Sequence, residues 1–255
     1  MRPTRVQRLR HEQSAITRAM VLCAGLGTRM RPLTATTPKP LLTVAGRCLV
    51  DHILDRLVEA GVKEAVVNTH YLAERMERHL TLWQEPRITI SHEPELMETG
   101  GGVKKALPLL GAEPFFVING DSFWLNGPRS ALGELAAVWD RERMDGLMLL
   151  QATARARGYE GRGDFNLDPE GRLEWRSEGR SSAFVFAGVM IVHPRVFEGT
   201  PDGPFSMRLV YERLIGAGRL FGINHDGEWF HIGTPDALAA AEEFMAGDLR
   251  RAHYV

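Results

Sequence analysis

The chain has 255 residues, of which 44% are hydrophobic and 25% are charged, and its net charge is −1. This balance is typical of a globular protein and excludes a disordered, collagen-like or coiled-coil chain. The near-zero net charge gives no electrostatic basis for general binding to nucleic acid or to a membrane surface, and no stretch reaches the roughly 18 apolar residues that a membrane helix needs. The two cysteines, Cys23 and Cys48, favour a reduced cytoplasmic protein over a disulfide framework.

An arginine-rich segment, residues 1–18, precedes the first apolar run. That run, residues 19–22, is too short for the apolar region of a secretory signal. We expect residues 1–18 to be a disordered extension, because chain termini are commonly mobile. They could also lie upstream of the true start or form an amphipathic targeting peptide. Residues 19–255 are then expected to form a single domain.

From residue 19 onward, short apolar runs alternate with segments of helical periodicity. The apolar runs predict strands at residues 19–24, 64–68, 87–91, 115–118, 147–151, 184–192, 220–223 and 229–232. The periodic segments predict helices at residues 50–60, 71–80, 104–110, 130–143, 207–217 and 235–245. This alternation predicts an α/β fold with a mostly parallel sheet flanked by helices on both faces. Ligands of such folds bind outside the carboxyl ends of the strands.

The segment after the first predicted strand combines glycines with cations. It reads AGLGTRMRPLT over residues 24–34 and continues to PKP at residues 38–40. Glycines that follow a strand let backbone N–H groups approach an anion closely. The pattern is not a dinucleotide fingerprint, because Met30 stands where the third glycine belongs, and no Gly-Lys-Ser/Thr follows to make a Walker A loop. Arg29 and Lys39 place two cations around the loop, an arrangement that would neutralise a nucleoside triphosphate.

This string resembles the signature of the sugar-1-phosphate nucleotidyltransferases, which make nucleotide sugars from a nucleoside triphosphate and a sugar phosphate. The resemblance covers nearly the whole chain beyond the extension. It implies a Rossmann-like fold of the nucleotide-diphospho-sugar transferase type, in which the glycine loop wraps the nucleotide. It also implies that Arg29 and Lys39 hold the triphosphate and stabilise the departing pyrophosphate. The nucleotide-binding residues implied for this loop are Ala24, Gly25, Gly27, Thr28 and Arg29.

The triplet Asn119-Gly120-Asp121 directly follows the most apolar predicted strand. It resembles the metal-binding aspartate motif of the same family, and Mg²⁺ prefers hard oxygen ligands together with substrate phosphates. Asp121 is therefore implied as a metal ligand and, with Arg29 and Lys39, as a catalytic residue. An Asn-Gly turn with a solvated aspartate is the alternative.

The segment WFHIGTP, residues 229–235, is similar to the family's C-terminal motif with one departure. Relatives commonly carry a second metal-binding aspartate where this chain has His231. Imidazole suits Mn²⁺ or Zn²⁺ better than Mg²⁺. His231 is thus interpreted as a weak metal ligand, a contact to phosphate or a hydrogen-bonded strand residue. Mg²⁺ is the expected cofactor, with Mn²⁺ as the alternative.

A second glycine run, ETGGG at residues 98–102, precedes the predicted helix at residues 104–110. Relatives use an equivalent loop to read the base, which implies nucleotide contacts from Thr99, Gly100 and Gly101. This run and GRGDF at residues 161–165 resemble one subgroup, the N-acetylmuramate-1-phosphate uridylyltransferases of cell-wall recycling. Residues 161–180 predict a hairpin with a turn at residues 168–171, which would lie over the site.

The sugar is expected to bind beside this hairpin. Asn68 follows the second predicted strand and would reach the sugar, and Gly188 matches a family position where the backbone approaches it. Arg162 is the candidate for binding the carboxylate of a muramate, and a solvated surface arginine is the alternative. The implied sugar-binding residues are Asn68, Arg162, Gly163, Asp164 and Gly188.

The resemblance implies an enzyme that transfers UMP from UTP to a sugar 1-phosphate, N-acetylmuramate 1-phosphate in this subgroup, and releases pyrophosphate. No general base is needed, because the phosphate nucleophile is already an anion near neutral pH. The expected partners are UTP and the sugar phosphate, without nucleic acid or membrane, and the chain is expected to act as a monomer in the cytoplasm. The alternatives are transfer to another hexose 1-phosphate, of the GDP-mannose or dTDP/UDP-glucose type, and a non-catalytic nucleotide-sugar sensor.

Overall fold

A computed structural model describes residues 15–252 of the chain. The strands in that range are β1 (Arg18–Leu22), β2 (Thr43–Val44), β3 (Arg47–Cys48), β4 (Glu64–Thr69), β5 (Arg87–His92), β6 (Phe115–Asn119), β7 (Ser122–Leu125), β8 (Gly146–Ala152), β9 (Phe165–Leu167), β10 (Leu173–Trp175), β11 (Phe184–Val192), β12 (Leu220–Asn224) and β13 (Glu228–His231). The helices are α1 (Leu49–Glu59), α2 (Ala73–Leu80), α3 (Glu98–Leu110), α4 (Ala131–Val138), α5 (Arg208–Gly216) and α6 (Pro235–Ala252). No helix in the described range is long and apolar enough to cross a membrane.

The folded domain begins slightly earlier than the sequence indicated. Residues 1–14 of the expected disordered extension lie outside the described residues. Ile16, however, is buried in the hydrophobic core, and Arg18 opens β1. The Arg18 guanidinium also donates a hydrogen bond of 2.8 Å to the carbonyl oxygen of Leu110. Residues 16–18 therefore belong to the domain, because the core extends to the Ile16 side chain.

The main sheet is built around β1, which lies between β4 and β6 and is parallel to both. β5 continues the parallel order beyond β4. On the opposite side, β11 runs antiparallel to β6, β8 runs antiparallel to β11, and β12 pairs with β8 in parallel. The predicted α/β fold with a mostly parallel, mixed sheet is confirmed.

Helices cover both faces of this sheet. Neighbouring residues of β1 point to opposite faces, so that Val21 belongs to the core that includes α1, α2 and α4, while Met20 belongs to the core that includes α3 and α5. Leu57 of α1 and Leu110 of α3 are among the buried side chains of the two cores. Each fully buried leucine of this kind contributes about 1.5–3 kcal/mol to stability. Burial on both faces therefore stabilises the sheet, including the carboxyl edge at which ligands of this fold class bind.

The helix that follows β5 is longer than the predicted one at residues 104–110 and takes in the second glycine run. The backbone N–H groups of Gly100 and Gly101 both donate to the carbonyl oxygen of Phe205, at 2.8 and 3.0 Å. A Cβ atom at either glycine would collide with the backbone of residues 203–205. The glycines are thus part of the first turns of α3, because only a helix without side chains there can pack so closely against that segment.

Strand β7 is absent from the sequence-based expectation, although it places one wall of the site. It pairs antiparallel with β13, which sets Ser122 opposite His231. The expected hairpin at residues 161–180 is confirmed as β9 and β10, which pair antiparallel and close through Asp168 and Gly171. β9 also pairs with β11 at Phe184, so the hairpin extends the main sheet at its edge.

Candidate active site

Two adjoining cavities open at the carboxyl ends of β1, β4 and β6, the edge at which α/β folds bind ligands. The larger cavity has a volume of about 550 Å³ and the smaller one about 260 Å³. Arg29, Asn119 and Asp121 line both of them. A ligand in one cavity therefore meets a ligand in the other at these three side chains.

The first glycine loop forms one wall of the larger cavity, and Ala24, Gly25, Gly27 and Thr28 all line it. Gly27 has a φ of +61°, and a Cβ there would come within 3.1 Å of the Thr34 methyl group. The buried Thr34 hydroxyl donates to the Gly27 carbonyl oxygen at 2.8 Å. The loop is thus fixed from below, while the space beside Gly25 is open. Such a loop can bring backbone N–H groups close to phosphate oxygens.

A lysine–carboxylate pair lies where the two cavities meet. The Lys39 ammonium contacts the Asp121 carboxylate at 2.5 Å. The Lys39 side chain is 10% exposed and that of Asp121 is 40% exposed. Arg29, also exposed to solvent, lies beside them on the rim that both cavities share. The structure therefore brings all three predicted catalytic residues together, and the two cations beside Asp121 are suited to binding phosphate groups.

Asn68 lies in the floor of the larger cavity, not in the smaller one. Its side-chain oxygen accepts a hydrogen bond of 2.7 Å from the Cys23 backbone N–H, and its amide nitrogen donates to Glu93 at 2.7 Å. Glu93 is fully buried and also accepts from the Met97 backbone N–H at 3.0 Å. Asn68 thus joins β1 to the loop before α3, so the expected sugar contact is not supported. Glu93 carries no sequence signal, because its partners are distant in the chain.

Cys23 lies in the same floor and is buried. Burial, together with the nearby Asp121 charge, raises the pKa of its thiol far above the usual range. The thiol therefore stays protonated and acts as a small apolar group in the floor, because a nucleophilic cysteine would need a lowered pKa.

The start of α3 contributes Glu98 and Thr99 to the larger cavity, but Gly100 and Gly101 do not line it. The expectation of base contacts from these two glycines is corrected, because their N–H groups are already bonded to Phe205. Glu98 has a φ of +57°, a conformation that costs about 1–2 kcal/mol for a residue other than glycine. Strain of this kind tends to occur at functional sites.

The smaller cavity is shaped by a bulge in β11. The register of β11 against β8 shifts between Phe186 and Met190, and Gly188 within the bulge has a φ of +77°. A Cβ at Gly188 would collide with the Ser122 hydroxyl. Asp164 faces the same cavity, and one of its carboxylate oxygens accepts a hydrogen bond of 3.0 Å from the Phe186 N–H.

Gly163 and Arg162 precede Asp164 in the chain but lie outside this cavity. Gly163 is buried, and its N–H donates to the Tyr159 hydroxyl at 3.2 Å. Arg162 is exposed, and neither residue is among those that line the two cavities. The structure therefore does not bring the Arg162 side chain to the expected sugar site.

His231 lines the smaller cavity together with Asp121. Its ring is in edge contact with Tyr159, with the ring centroids 5.8 Å apart. Burial, assisted by the positive charges of Lys39 and Arg29, lowers the pKa of His231 below its usual value. The ring is therefore neutral near pH 7, so it offers a nitrogen lone pair rather than a positive charge.

Known proteins resemble this chain over most of its length. The sequence profile described as "Nucleotidyl transferase" matches residues 18–160. The N-acetylmuramate alpha-1-phosphate uridylyltransferase of Caulobacter vibrioides is 46% identical over 233 residues, covering 89% of this chain and 96% of the relative. The enzyme of the same name from Neisseria meningitidis is 35% identical and covers 88% of this chain and 96% of the relative.

More distant relatives share the fold. The mannose-1-phosphate guanylyltransferase catalytic subunit beta of Drosophila melanogaster is 30% identical over 91% of this chain and 62% of its own length. A crystal structure of UDP-glucose pyrophosphorylase complexed with UDP-glucose superposes with a TM-score of 0.74, at 18% identity, over 91% of this chain and 99% of that one. At this identity the superposition shows a common fold.

Proposed function

The chain belongs to the nucleotidyl transferase family, and from this premise we propose that it transfers UMP from UTP to N-acetylmuramate α-1-phosphate and releases pyrophosphate. The observation that carries this proposal is the pair of cavities joined at Arg29, Asn119 and Asp121. A transfer between two phosphate esters needs two substrate sites whose phosphates meet, and this junction supplies cations at that point. The two relatives named above for this activity support the choice of substrates.

In this reaction the larger cavity takes UTP and the smaller one takes the sugar phosphate. A phosphate oxygen of the sugar 1-phosphate forms a bond to the α-phosphorus, while the bond from that phosphorus to the oxygen bridging to the β-phosphorus breaks. The electron pair of that bond leaves with pyrophosphate. The nucleophile is already ionised near neutral pH, since the second proton of a phosphate monoester has a pKa of ~6. The protein therefore contributes positioning and charge, with no need of a general base.

The backbone of the first glycine loop would hold the β- and γ-phosphates, and Arg29 and Lys39 would neutralise the charge that develops on the leaving group. Lys39 is preorganised for this role, because its side chain is buried and its ammonium is fixed by Asp121. Contacts fixed before the reaction cost little reorganisation in the transition state.

We also propose Mg²⁺ as the cofactor, with Mn²⁺ as a substitute. The donor set fits a hard cation, because the Asp121 carboxylate is 40% exposed at the junction and two phosphate groups would join it there. Asp121 would hold the ion, and the neutral imidazole of His231 would be a second ligand, one better suited to Mn²⁺ than to Mg²⁺. When bound, the ion supplies charge neutralisation for the phosphates.

We propose a monomer that acts in the cytoplasm in the recycling of cell-wall sugars. The free thiols of Cys23 and Cys48 support the reducing compartment. The oligomeric state is checked by light scattering on the eluting protein, and a dimer would contradict the monomer.

The test is a pyrophosphate-release assay with a matrix of the common nucleoside triphosphates and a panel of sugar 1-phosphates. The proposal expects the highest kcat/KM for UTP with N-acetylmuramate 1-phosphate and no release by Asp121→Asn. A preference for GTP with mannose 1-phosphate, or for glucose 1-phosphate, would replace the substrates while keeping the reaction. Tight binding of UDP-sugars without any pyrophosphate release would instead identify a sensor.

A further inference from the structure

A cluster of three side chains of the kinds that ligate metals lies outside both cavities. Cys48 immediately precedes α1, Asp51 lies in the first turn of that helix, and His79 lies in the last turn of α2. One ligand atom from each residue lies within 4.8 Å of the others. None of the three lines the cavities of the candidate active site.

The local structure explains why these side chains meet. The residue that precedes a helix and the residue three positions later are neighbours on the first turn, which brings Cys48 next to Asp51. The His79 Nε2 atom lies 2.7 Å from one carboxylate oxygen of Asp51. The Trp83 indole N–H donates to that same oxygen at 2.9 Å. One oxygen of Asp51 is thus engaged twice, and Trp83 fixes the orientation of the carboxylate.

We propose that Cys48, Asp51 and His79 bind a single zinc ion. The mixture of one sulfur, one nitrogen and one oxygen donor selects a borderline-soft ion of tetrahedral preference, whereas Mg²⁺ and Ca²⁺ prefer oxygen donors alone. Water would complete the four ligands. The Trp83 N–H is the kind of outer contact that orients a ligating carboxylate in zinc sites.

The surroundings allow an ion to enter and then hold it. The side chains of His79 and Asp51 are 21% and 14% exposed, so they are reachable from solvent yet largely withdrawn from it. Cys48 is a free cysteine. On binding, the S–H proton leaves to solvent as the zinc–sulfur bond forms, and the proton of the His79 ring resides on Nδ1 so that the Nε2 lone pair is donated.

A bound ion would tie the start of α1 to the end of α2, two helices on the same face of the sheet. The α1 helix also contacts β7 and the short turn that carries Lys39. Zinc at this place would therefore stabilise the fold, because an ion that binds only the folded chain adds its binding free energy to stability.

The test uses the full chain carrying Asp121→Asn and His231→Ala, which removes the ligands expected at the active site. Zinc is titrated against a chromophoric chelator, and Co²⁺ is added separately as a spectroscopic probe of thiolate ligation. We expect one equivalent of zinc and a cobalt–thiolate charge-transfer absorption. Cys48→Ser should abolish that absorption, and this variant should fold because serine is favoured at the position before a helix. Cys23→Ala is the matched control and should retain the absorption.

Two further variants distinguish a metal site from a hydrogen-bonded cluster. His79→Gln should lower the zinc affinity at least ~10-fold, and Trp83→Phe should lower it ~10–100-fold while leaving the cobalt–thiolate absorption in place. Zinc should also raise the Tm of the parent, which is the chain carrying Asp121→Asn and His231→Ala, and should leave the Tm unchanged when Cys48→Ser is added. The proposal is overturned by an absence of cobalt–thiolate absorption in the parent, by its persistence in Cys48→Ser, or by zinc affinity that is unaffected by His79→Gln.

Discussion

The Lys39–Asp121 pair gives an unequal prediction for its two partners. Lys39 is 10% exposed and Asp121 is 40% exposed, so removing one partner leaves a very different charge behind. Asp121→Asn leaves a buried ammonium without its counter-ion. Lys39→Met leaves a carboxylate that water can reach, while the methionine fills most of the space of the lysine stem. We therefore expect Asp121→Asn to be the more destabilising change.

The magnitudes follow from burial. Removing one partner of a fully buried pair costs about 3–5 kcal/mol, and the access of water at the Asp121 side reduces this to about 2–3 kcal/mol for Asp121→Asn. Lys39→Met should cost at most about 1 kcal/mol, the scale of a solvent-screened pair. For a chain of this size the larger value corresponds to a fall in Tm of about 4–12 °C.

The assay is urea unfolding of the wild type, both single variants and the double variant, with pyrophosphate release measured in parallel. The double variant should be about as stable as Lys39→Met, because it no longer contains the uncompensated ammonium. Both single variants should lose at least ~10²-fold in turnover, whatever their stability. Equal destabilisation by the two single changes, or a greater one by Lys39→Met, would refute the reasoning from burial.

Changes at four further residues test the site and the fold. Gly188→Ala should lower the free energy of unfolding by at least ~2 kcal/mol, because residue 188 has a φ of +77° and a Cβ there would meet the Ser122 hydroxyl. The same change should raise the KM for the sugar phosphate. Unchanged thermal unfolding would contradict this prediction. Arg162→Ala should leave the ratio of kcat/KM for muramate and glucosamine 1-phosphates unchanged, since Arg162 is exposed outside the cavities; selective loss of muramate transfer would show that it reads the carboxylate. His231→Asp should keep or improve the use of Mg²⁺ relative to Mn²⁺, and His231→Ala with unaltered metal dependence would show that His231 is not a ligand. Asp145 is buried and accepts hydrogen bonds from Arg195 and Arg219, which hold its pKa below the usual value despite desolvation. The stabilisation from the ionised carboxylate is therefore complete above the unfolded-state pKa of ~3.9 and is lost as the pH falls from there through the lower folded-state pKa. The difference in the free energy of unfolding between the wild type and Asp145→Asn should thus disappear in acid, and a difference that persists there would contradict this reasoning.

The sequence predicts those parts of the site that consist of consecutive residues. The glycine loop directly follows β1, and Asp121 comes two residues after the end of β6, so the rule for the carboxyl edge of a parallel sheet brings them together without any knowledge of side-chain contacts. Lys39 follows no strand directly and is identified by its place in the signature string that the chain shares with the family. The match to the family model confirms the predicted family, and the superposition on a solved structure confirms the predicted fold.

Contacts between distant segments account for the errors. The resemblance implies nucleotide contacts from Gly100 and Gly101, but their N–H groups bond to Phe205, more than a hundred positions later. Asn68 similarly looks free to reach a sugar, yet Cys23 and Glu93 occupy its side chain. No periodicity encodes such partners, because the amide and the carboxylate meet only after the sheet has formed.

Contacts between distant segments also fix the wall of the larger cavity. One wall of the larger cavity is fixed by groups that line neither cavity, namely the Thr34 hydroxyl bonded to Gly27 and the Glu93 carboxylate bonded to Asn68. Both supporting side chains are fully buried, and each satisfies backbone or amide groups that would otherwise be costly to desolvate. Two residues that line the cavity, by contrast, are in less favourable environments: Glu98 has a positive φ, and the buried Lys39 ammonium has a single carboxylate as its partner. The strained backbone of Glu98 is tolerated because the surrounding buried groups, including Glu93, have their hydrogen-bond partners. Changes in Thr34 or Glu93 should therefore affect folding first, and changes in Lys39 or Glu98 should affect catalysis or binding first.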